Sequence, residues 1–259
     1  MSEPKVVVIT GASSGIGAGL AIRLGRDGMR LVLAARSADK LEAVAVEAAP
    51  EGMALAVPTD VRRRSDVDKL RDTALDRFGQ IDVWVNNAGR GISRPVLELT
   101  DDDVDEMIAV NVKSALYGMQ AIVPYFIEHG HGHVINVSSF LARVPLASHR
   151  SAYNAAKAVL NALSSNLRMD LRRQGAMDVH VSVVMPGVVT TDFSLNATHS
   201  TGPTPRLSAT MLQPQSVEEV VEVMARLIDE PRAELFTNPA AAAVAVRYLN
   251  DVGAFESQL

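Results

Sequence analysis

Thr10-Gly11-Ala12-Ser13-Ser14-Gly15-Ile16-Gly17 follows the unbroken apolar run Val6-Val7-Val8-Ile9, and the reading of this junction decides the fold. A continuous β-branched run predicts a parallel strand buried on both faces, so the glycines after it form a strand-to-helix turn. Gly11 permits a tight bend, Gly15 lets backbone approach a phosphate, and Gly17 lets a helix from about Ser14 to Asp27 pack against its strand. Free N–H groups at that helix start, at the positive end of the helix dipole, suit a pyrophosphate. Ser13, Ser14 and Ile16 complete the candidate dinucleotide cradle with the three glycines. The spacing is G-x-x-x-G-x-G, and such a turn also occurs as a plain βα joint without a ligand.

Outward from the turn, β-branched runs alternate with amphipathic stretches. Strands are predicted near 5–10, 30–35, 53–58, 81–86, 133–138, 179–185 and 233–237, with helices near 15–27, 38–49, 63–78, 101–129, 151–174 and 216–230. This order predicts an α/β fold with right-handed crossovers and a parallel sheet covered on both sides. The chain of 259 residues with 47% hydrophobic content is read as one domain, 1–259. Positions 192–214 lack a pattern and are rich in Pro, Gly, Ser and Thr, as expected of a lid loop late in such a fold.

A net charge of −5 gives no electrostatic reason to expect nucleic acid. The absence of cysteine excludes disulfides, a thiol nucleophile and thiolate metal sites, and fits a reducing compartment. No apolar run approaches the length of a membrane span, and the first strand begins within about five residues of Met1, leaving no room for a signal peptide. The expectation is a cytoplasmic protein. His129-Gly130-His131-Gly132-His133 looks like a metal tract, but it precedes the fifth strand, away from the ligand crevice, and is read as an exposed turn. No metal is expected. Arg62, Arg63 and Arg64 are read as a solvated face.

The second strand ends at Ala35-Arg36, where an acid would bind both ribose hydroxyls of NAD. Arg36 instead offers a guanidinium for a 2′-phosphate, which favours NADP(H) over NAD(H). At the next strand ends, Asp60 and Val61 are placed by an adenine, and Asn87, Ala88 and Gly89 leave room for a ribose. Each is equally consistent with a plain strand-ending turn. Tyr153 and Lys157 are four apart and share a helix face, so a Lys ammonium near the phenol would lower its pKa and ready it for proton transfer at a carbonyl or alcohol. A Tyr-x-x-x-Lys pair alone is common on solvated helices. Ser139 ends a strand on the crevice side, where its hydroxyl would hold the same oxygen.

Together these motifs cover nearly the whole chain and resemble, in order and spacing, the single-domain form of the short-chain dehydrogenase/reductase family. The pieces are Thr10 to Gly17, Asp60, Asn86 to Gly89, Asn111, Ser139, Tyr153, Lys157 and Pro186 to Thr191. The resemblance implies a Rossmann-type doubly wound sheet of about seven parallel strands, and a tetrad of Asn111, Ser139, Tyr153 and Lys157. In that scheme Tyr153 is the general acid or base, Ser139 orients the substrate oxygen and Lys157 holds the nicotinamide ribose. Asn111 supports a proton-relaying water, and hydride leaves the B face. Pro186, Gly187 and Val188 would hold the carboxamide, with Thr191 at the pyrophosphate. Ser138 stands beside Ser139 and is the alternative serine. Leu141, Val144, Leu146, His149, Phe193, Leu195 and Met211 are placed around a small carbonyl or alcohol substrate. The helices near 101–129 and 151–174 resemble the family's dimer contact, implying a homotetramer or homodimer. The competing reading is a noncatalytic nucleotide sensor on the same fold.

Overall fold

The structure, a computed structural model, describes residues 3–50, 52–199 and 212–258. Strand β1 (Val6–Thr10) leads through the glycine turn into α1 (Gly15–Arg26). There follow β2 (Arg30–Ala35), α2 (Ala38–Ala48), β3 (Ala54–Pro58), α3 (Arg64–Phe78) and β4 (Val83–Asn86). The chain continues with α4 (Asp101–Ile108), α5 (Ser114–His129), β5 (Gly132–Val137), α6 (Ser151–Arg173) and β6 (Val179–Met185). It closes with α7 (Val217–Asp229), β7 (Glu234–Phe236), α8 (Ala241–Asn250) and α9 (Val252–Glu256).

All seven strands pair in parallel, in the order β3-β2-β1-β4-β5-β6-β7. The unbroken apolar reading of β1 has a direct cause. Val7 and Ile9 pack with α1, α2 and α7 on one face, while Val6 and Val8 pack with α3 and α5 on the other. From β1 the chain first builds outward to β2 and β3, then returns to place β4 on the opposite side of β1. That reversal opens a crevice at the carboxyl ends of β1 and β4.

A buried polar ladder locks the centre of the sheet to α6. Trp84 Nε1 donates to Asn86 Oδ1, Asn86 Nδ2 donates to Asn136 Oδ1, and Asn136 Nδ2 donates to Ser164 Oγ, each at 2.8 Å. Ser164 Oγ then donates to the Leu160 carbonyl at 2.7 Å. Buried groups satisfied in this way fix one orientation of the helix that carries Tyr153 and Lys157.

Three local expectations are corrected. The helix near 101–129 is not uniform: Ala109–Lys113 form a π-turn between α4 and α5, with Asn111 in it. Two C-terminal helices, α8 and α9, follow β7 where no helix was expected. His129 and His131 are exposed, but His133 lies inside β5, where its Nε2 meets Ser182 Oγ at 2.7 Å and burial pushes its pKa down to about 3. The arginine run is exposed, as read from the sequence, and its side chains pair along the surface. Arg62 forks onto Asp60, and Arg64 donates to Gln120 while lying 4.4 Å over the Tyr117 ring. Among the described residues, no helix is long and apolar enough to cross a membrane.

Candidate active site

The crevice is a cleft of about 1850 Å³. One end is walled by Arg36, Ser37 and Lys40, the middle by the glycine turn, and the other end by Ser139, Tyr153, Lys157 and Phe193. Of the cofactor-binding residues expected from sequence, Gly11, Ser13, Ser14, Gly15, Ile16, Arg36, Asp60, Val61, Asn87, Ala88 and Gly89 lie on this wall. So do Tyr153, Lys157, Pro186, Gly187, Val188 and Thr191. Gly17 and Asn111 stand behind it. A Cβ on Gly17 would strike the Gly11 carbonyl, so Gly17 shapes the turn from within.

The turn is pinned from the side. Asn87 Nδ2 donates to the carbonyls of Thr10 and Gly11 at 2.9 and 3.2 Å, and Thr10 Oγ1 accepts from the N–H groups of Asn87 and Ala88. Gly11 and Gly15 have φ of +67° and +55°, which L side chains adopt only with strain. A Cβ on Gly11 would stand 2.8 Å from Ala88 Cα. The backbone at the start of α1 is therefore bare toward the cleft, and the Ser14 side chain makes no cap bond there. That bare helix start, beside exposed Arg36 and Lys40, fits the phosphates of a dinucleotide. Asp60 faces the same end, its pKa held low chiefly by the hydrogen bonds from Arg62.

At the reaction end, Gly89 marks a convergence: a Cβ there would stand 2.9 Å from Asn111 Oδ1 and 3.4 Å from Lys157 Nζ. Asn111 is 1% exposed and clasps the chain after Gly89, donating to the Arg90 carbonyl at 2.9 Å and accepting from the Arg90 N–H at 3.2 Å. The Tyr153 and Ser139 side chains are hydrogen-bonded, while Ser138 Oγ turns away to the Lys157 carbonyl at 3.3 Å. Ser139, not Ser138, faces the phenol.

The charge balance differs from the sequence expectation. Burial pushes the Tyr153 phenol up to about 12, opposed by the Ser139 hydrogen bond and by the charge of Arg150. Lys157 is itself pushed down to about 8 by burial, and its Nζ donates to the Val137 carbonyl at 2.8 Å, 5.8 Å from the Tyr153 ring centre. Arg150, 5% exposed, is the site residue that sequence reasoning missed. Its one cue in the sequence is its place three residues before Tyr153, immediately ahead of α6.

On the substrate side, Leu141, Leu146, His149 and Phe193 line the cleft, and the Phe193 ring lies 5.6 Å from that of Tyr153. Val144 does not line it. Val144 is fully buried against Phe140, Leu212 and Val244. Leu195 is 69% exposed and off the wall. Met211, with most of the expected lid loop, lies outside the described residues. The foot of that loop is anchored where Gln215 N donates to the Val188 carbonyl and Thr190 N to the Gln215 carbonyl.

A parallel sheet with this strand order and a bare glycine turn at its switch point defines a nucleotide-binding α/β protein, and comparison with known proteins narrows the class. Residues 5–201 match the short chain dehydrogenase family. The chain is 36% identical over 217 residues to an uncharacterized oxidoreductase of Staphylococcus aureus strain MRSA252, spanning 84% of this chain and 89% of that one. It superposes on an alcohol dehydrogenase from Thermococcus sibiricus in complex with 5-hydroxy-NADP with a TM-score of 0.78 and 30% identity, covering 92% of this chain and 98% of that one. With a 3-ketoacyl-(acyl-carrier-protein) reductase from Brucella melitensis in complex with NADH, the TM-score is 0.82 at 25% identity, again covering 92% and 98%. This chain belongs to the short-chain dehydrogenase family of oxidoreductases, on the NAD(P)-binding Rossmann fold.

Proposed function

We propose that this protein is an NADP(H)-dependent oxidoreductase that interconverts a small ketone or aldehyde and the corresponding alcohol, with Tyr153 as general acid in reduction and general base in oxidation. The observation that carries the reading is the meeting of Ser139, Tyr153 and Lys157 at one end of a cleft whose middle is a bare phosphate cradle. The Thermococcus and Brucella structures, with their NADP-type and NADH ligands, support a nicotinamide cofactor there.

Gly11, Ser13, Ser14, Gly15 and Ile16, with Gly17 shaping the turn, would hold the pyrophosphate together with Thr191. Arg36 would pair with a 2′-phosphate, Asp60 and Val61 would border the adenine, and Asn87, Ala88 and Gly89 the adenosine-side ribose. Pro186, Gly187 and Val188 would hold the carboxamide. When bound, the nicotinamide supplies or accepts the hydride. Ser139 donates a hydrogen bond to the substrate oxygen and so aligns it with the phenol. Tyr153 gives its proton to that oxygen in reduction and takes one back in oxidation. Lys157 holds the nicotinamide ribose and lends positive charge, and Asn111 supports the water that restores the proton.

The reading extends to one cytoplasmic domain over 1–259, closed by a substrate loop at 192–214. It further includes assembly as a homotetramer or homodimer through the long helices, where Ile127, Val159 and Met169 stand exposed. Sedimentation measures that assembly. The function is tested by following NADPH consumption across a panel of ketones and aldehydes. Turnover of at least one carbonyl is expected, with NADH a poorer donor. A chain that binds NADPH and consumes none would be a nucleotide sensor instead.

A further inference from the structure

We propose that Arg150 is a positioning residue of the reaction: its buried guanidinium, clustered with Gly91, Phe193 and Tyr153, stabilises the negative charge left on the phenol oxygen when the proton is transferred. This deepens the oxidoreductase reading and rests on it. In reduction the Tyr153 O–H bond breaks and its proton joins the carbonyl oxygen. The carbonyl carbon receives the hydride, the dihydronicotinamide is oxidised, and a phenolate remains. A site built for that step needs a fixed cation where the charge appears.

The placement is specific. Arg150 sits at the start of α6, at the same helix end as Tyr153, and both line the cleft. The guanidinium is held from behind, with Nη1 donating to the Ile92 carbonyl at 3.2 Å. Gly91 leaves it room: a Cβ there would stand 2.7 Å from Arg150 Nη1 and 3.1 Å from Phe193 Cε1. The Phe193 ring in turn lies 5.6 Å from that of Tyr153, so Arg150, Gly91, Phe193 and Tyr153 form one cluster.

The other titratable groups on the wall near the phenol do not replace it. Lys157 shares the helix and stays mostly protonated at neutral pH, but its Nζ donates to the Val137 carbonyl, and burial pushes its pKa down to about 8, so it loses its charge as the pH rises toward the range where the phenol ionises. Burial pushes down the pKa of His149, which leaves it neutral in the same range. Asp192 carries the wrong sign, and Arg90 and Glu106 pair with each other at 3.5 Å. Arginine stays charged even when burial lowers its pKa, as it does here. The influence is mutual: Arg150 draws the phenol's pKa down, and Tyr153 draws that of Arg150 up.

The test compares Arg150→Met and Arg150→Lys with the wild type, using NADPH, neutral ketones and matched keto acids. In Arg150→Met the pH limb assigned to Tyr153 moves upward by about one unit, and alcohol oxidation at neutral pH falls about tenfold. Arg150→Lys restores most of this, and NADPH affinity is unchanged. A second readout needs no turnover. The chain has four tyrosines, so in protein labelled at tyrosine ¹³Cζ the signal absent from Tyr153→Phe reports this phenol alone. Its alkaline onset of ionisation moves to higher pH in Arg150→Met.

A folded Arg150→Met protein with neither limb nor onset shifted overturns the proposal and leaves Arg150 a strut for the loop at Ile92. So does a loss confined to keto acids with the limb unmoved, which makes Arg150 an anchor for a substrate anion. If Arg150→Met does not fold, Gly91→Ala, whose methyl displaces Nη1, must shift the onset in the same direction; an unmoved onset overturns the proposal. A wild type that binds NADPH but reduces nothing defeats the oxidoreductase reading, and this proposal's catalytic role with it. The ¹³C signal separately decides whether Arg150 acts on the phenol.

Discussion

At the phosphate end of the cleft, the groups that would face a ligand are backbone N–H donors and the exposed side chains of Arg36 and Lys40. At the reaction end they are Ser139, Tyr153, Lys157 and Arg150, none more than 8% exposed. Charge in the first region is screened by water and contributes modestly. Charge in the second is desolvated, so Lys157 is driven toward its neutral form and Tyr153 away from ionisation. The difference teaches where this fold sacrifices stability: the reaction end holds titratable groups in states that burial opposes, whereas the phosphate end asks chiefly for glycine at the positive-φ positions of its turn.

Lys157→Met breaks the contrast hardest. Turnover should fall by about 10²–10³-fold with the basic limb of the pH–rate profile displaced upward, while the protein becomes more stable. The sign follows from linkage. Lys157 has a folded pKa of about 8 against an ordinary 10.5, so the unfolded chain binds the extra proton between those values. Folding is therefore penalised fully below about pH 8, and the penalty fades as pH rises toward 10.5. At pH 7 the variant should gain on the order of 2 kcal/mol, vanishing in strong alkali, as read from urea unfolding at several pH values. Equal stability at pH 7 would mean that the ammonium bears no desolvation cost.

Gly17→Ala asks whether the phosphate end depends on backbone rather than charge. Its methyl meets the Gly11 carbonyl, so stability should fall by about 1–3 kcal/mol and NADPH affinity with it, by calorimetry. Unchanged affinity would separate the turn from the cofactor. The smallest effect is expected from Arg36→Asp, which exchanges an exposed phosphate-binding cation for a ribose-binding anion. The NADPH:NADH preference should reverse by roughly tenfold or more with little change in melting temperature. An unaltered ratio would remove Arg36 from cofactor choice.

The same contrast explains what was legible in the sequence. The fully buried strands β1, β4 and β5 and the glycine turn were readable because a strand buried on both faces favours a run of β-branched residues and a bare helix start needs glycine. Asn111 was readable as a motif but not as part of a π-turn, since one extra residue barely disturbs the helical spacing of apolar residues around it. The alanine-rich stretch of α8 carries too few large apolar residues to mark a face, although Ala241, Val244 and Ala245 are buried. His133 and Arg150 were misread or missed for a common reason. Whether a polar side chain is solvated or buried depends on partners far along the chain, such as Ser182 for His133 and Ile92 for Arg150.

The most direct measurement follows deuterium from C4 of labelled NADPH into the product of a ketone accepted by the wild type, with Tyr153→Phe alongside. The account predicts label on the former carbonyl carbon, and transfer slowed by about 10³-fold or more in the variant while NADPH still binds. Label transfer at an undiminished rate without the Tyr153 hydroxyl would contradict it.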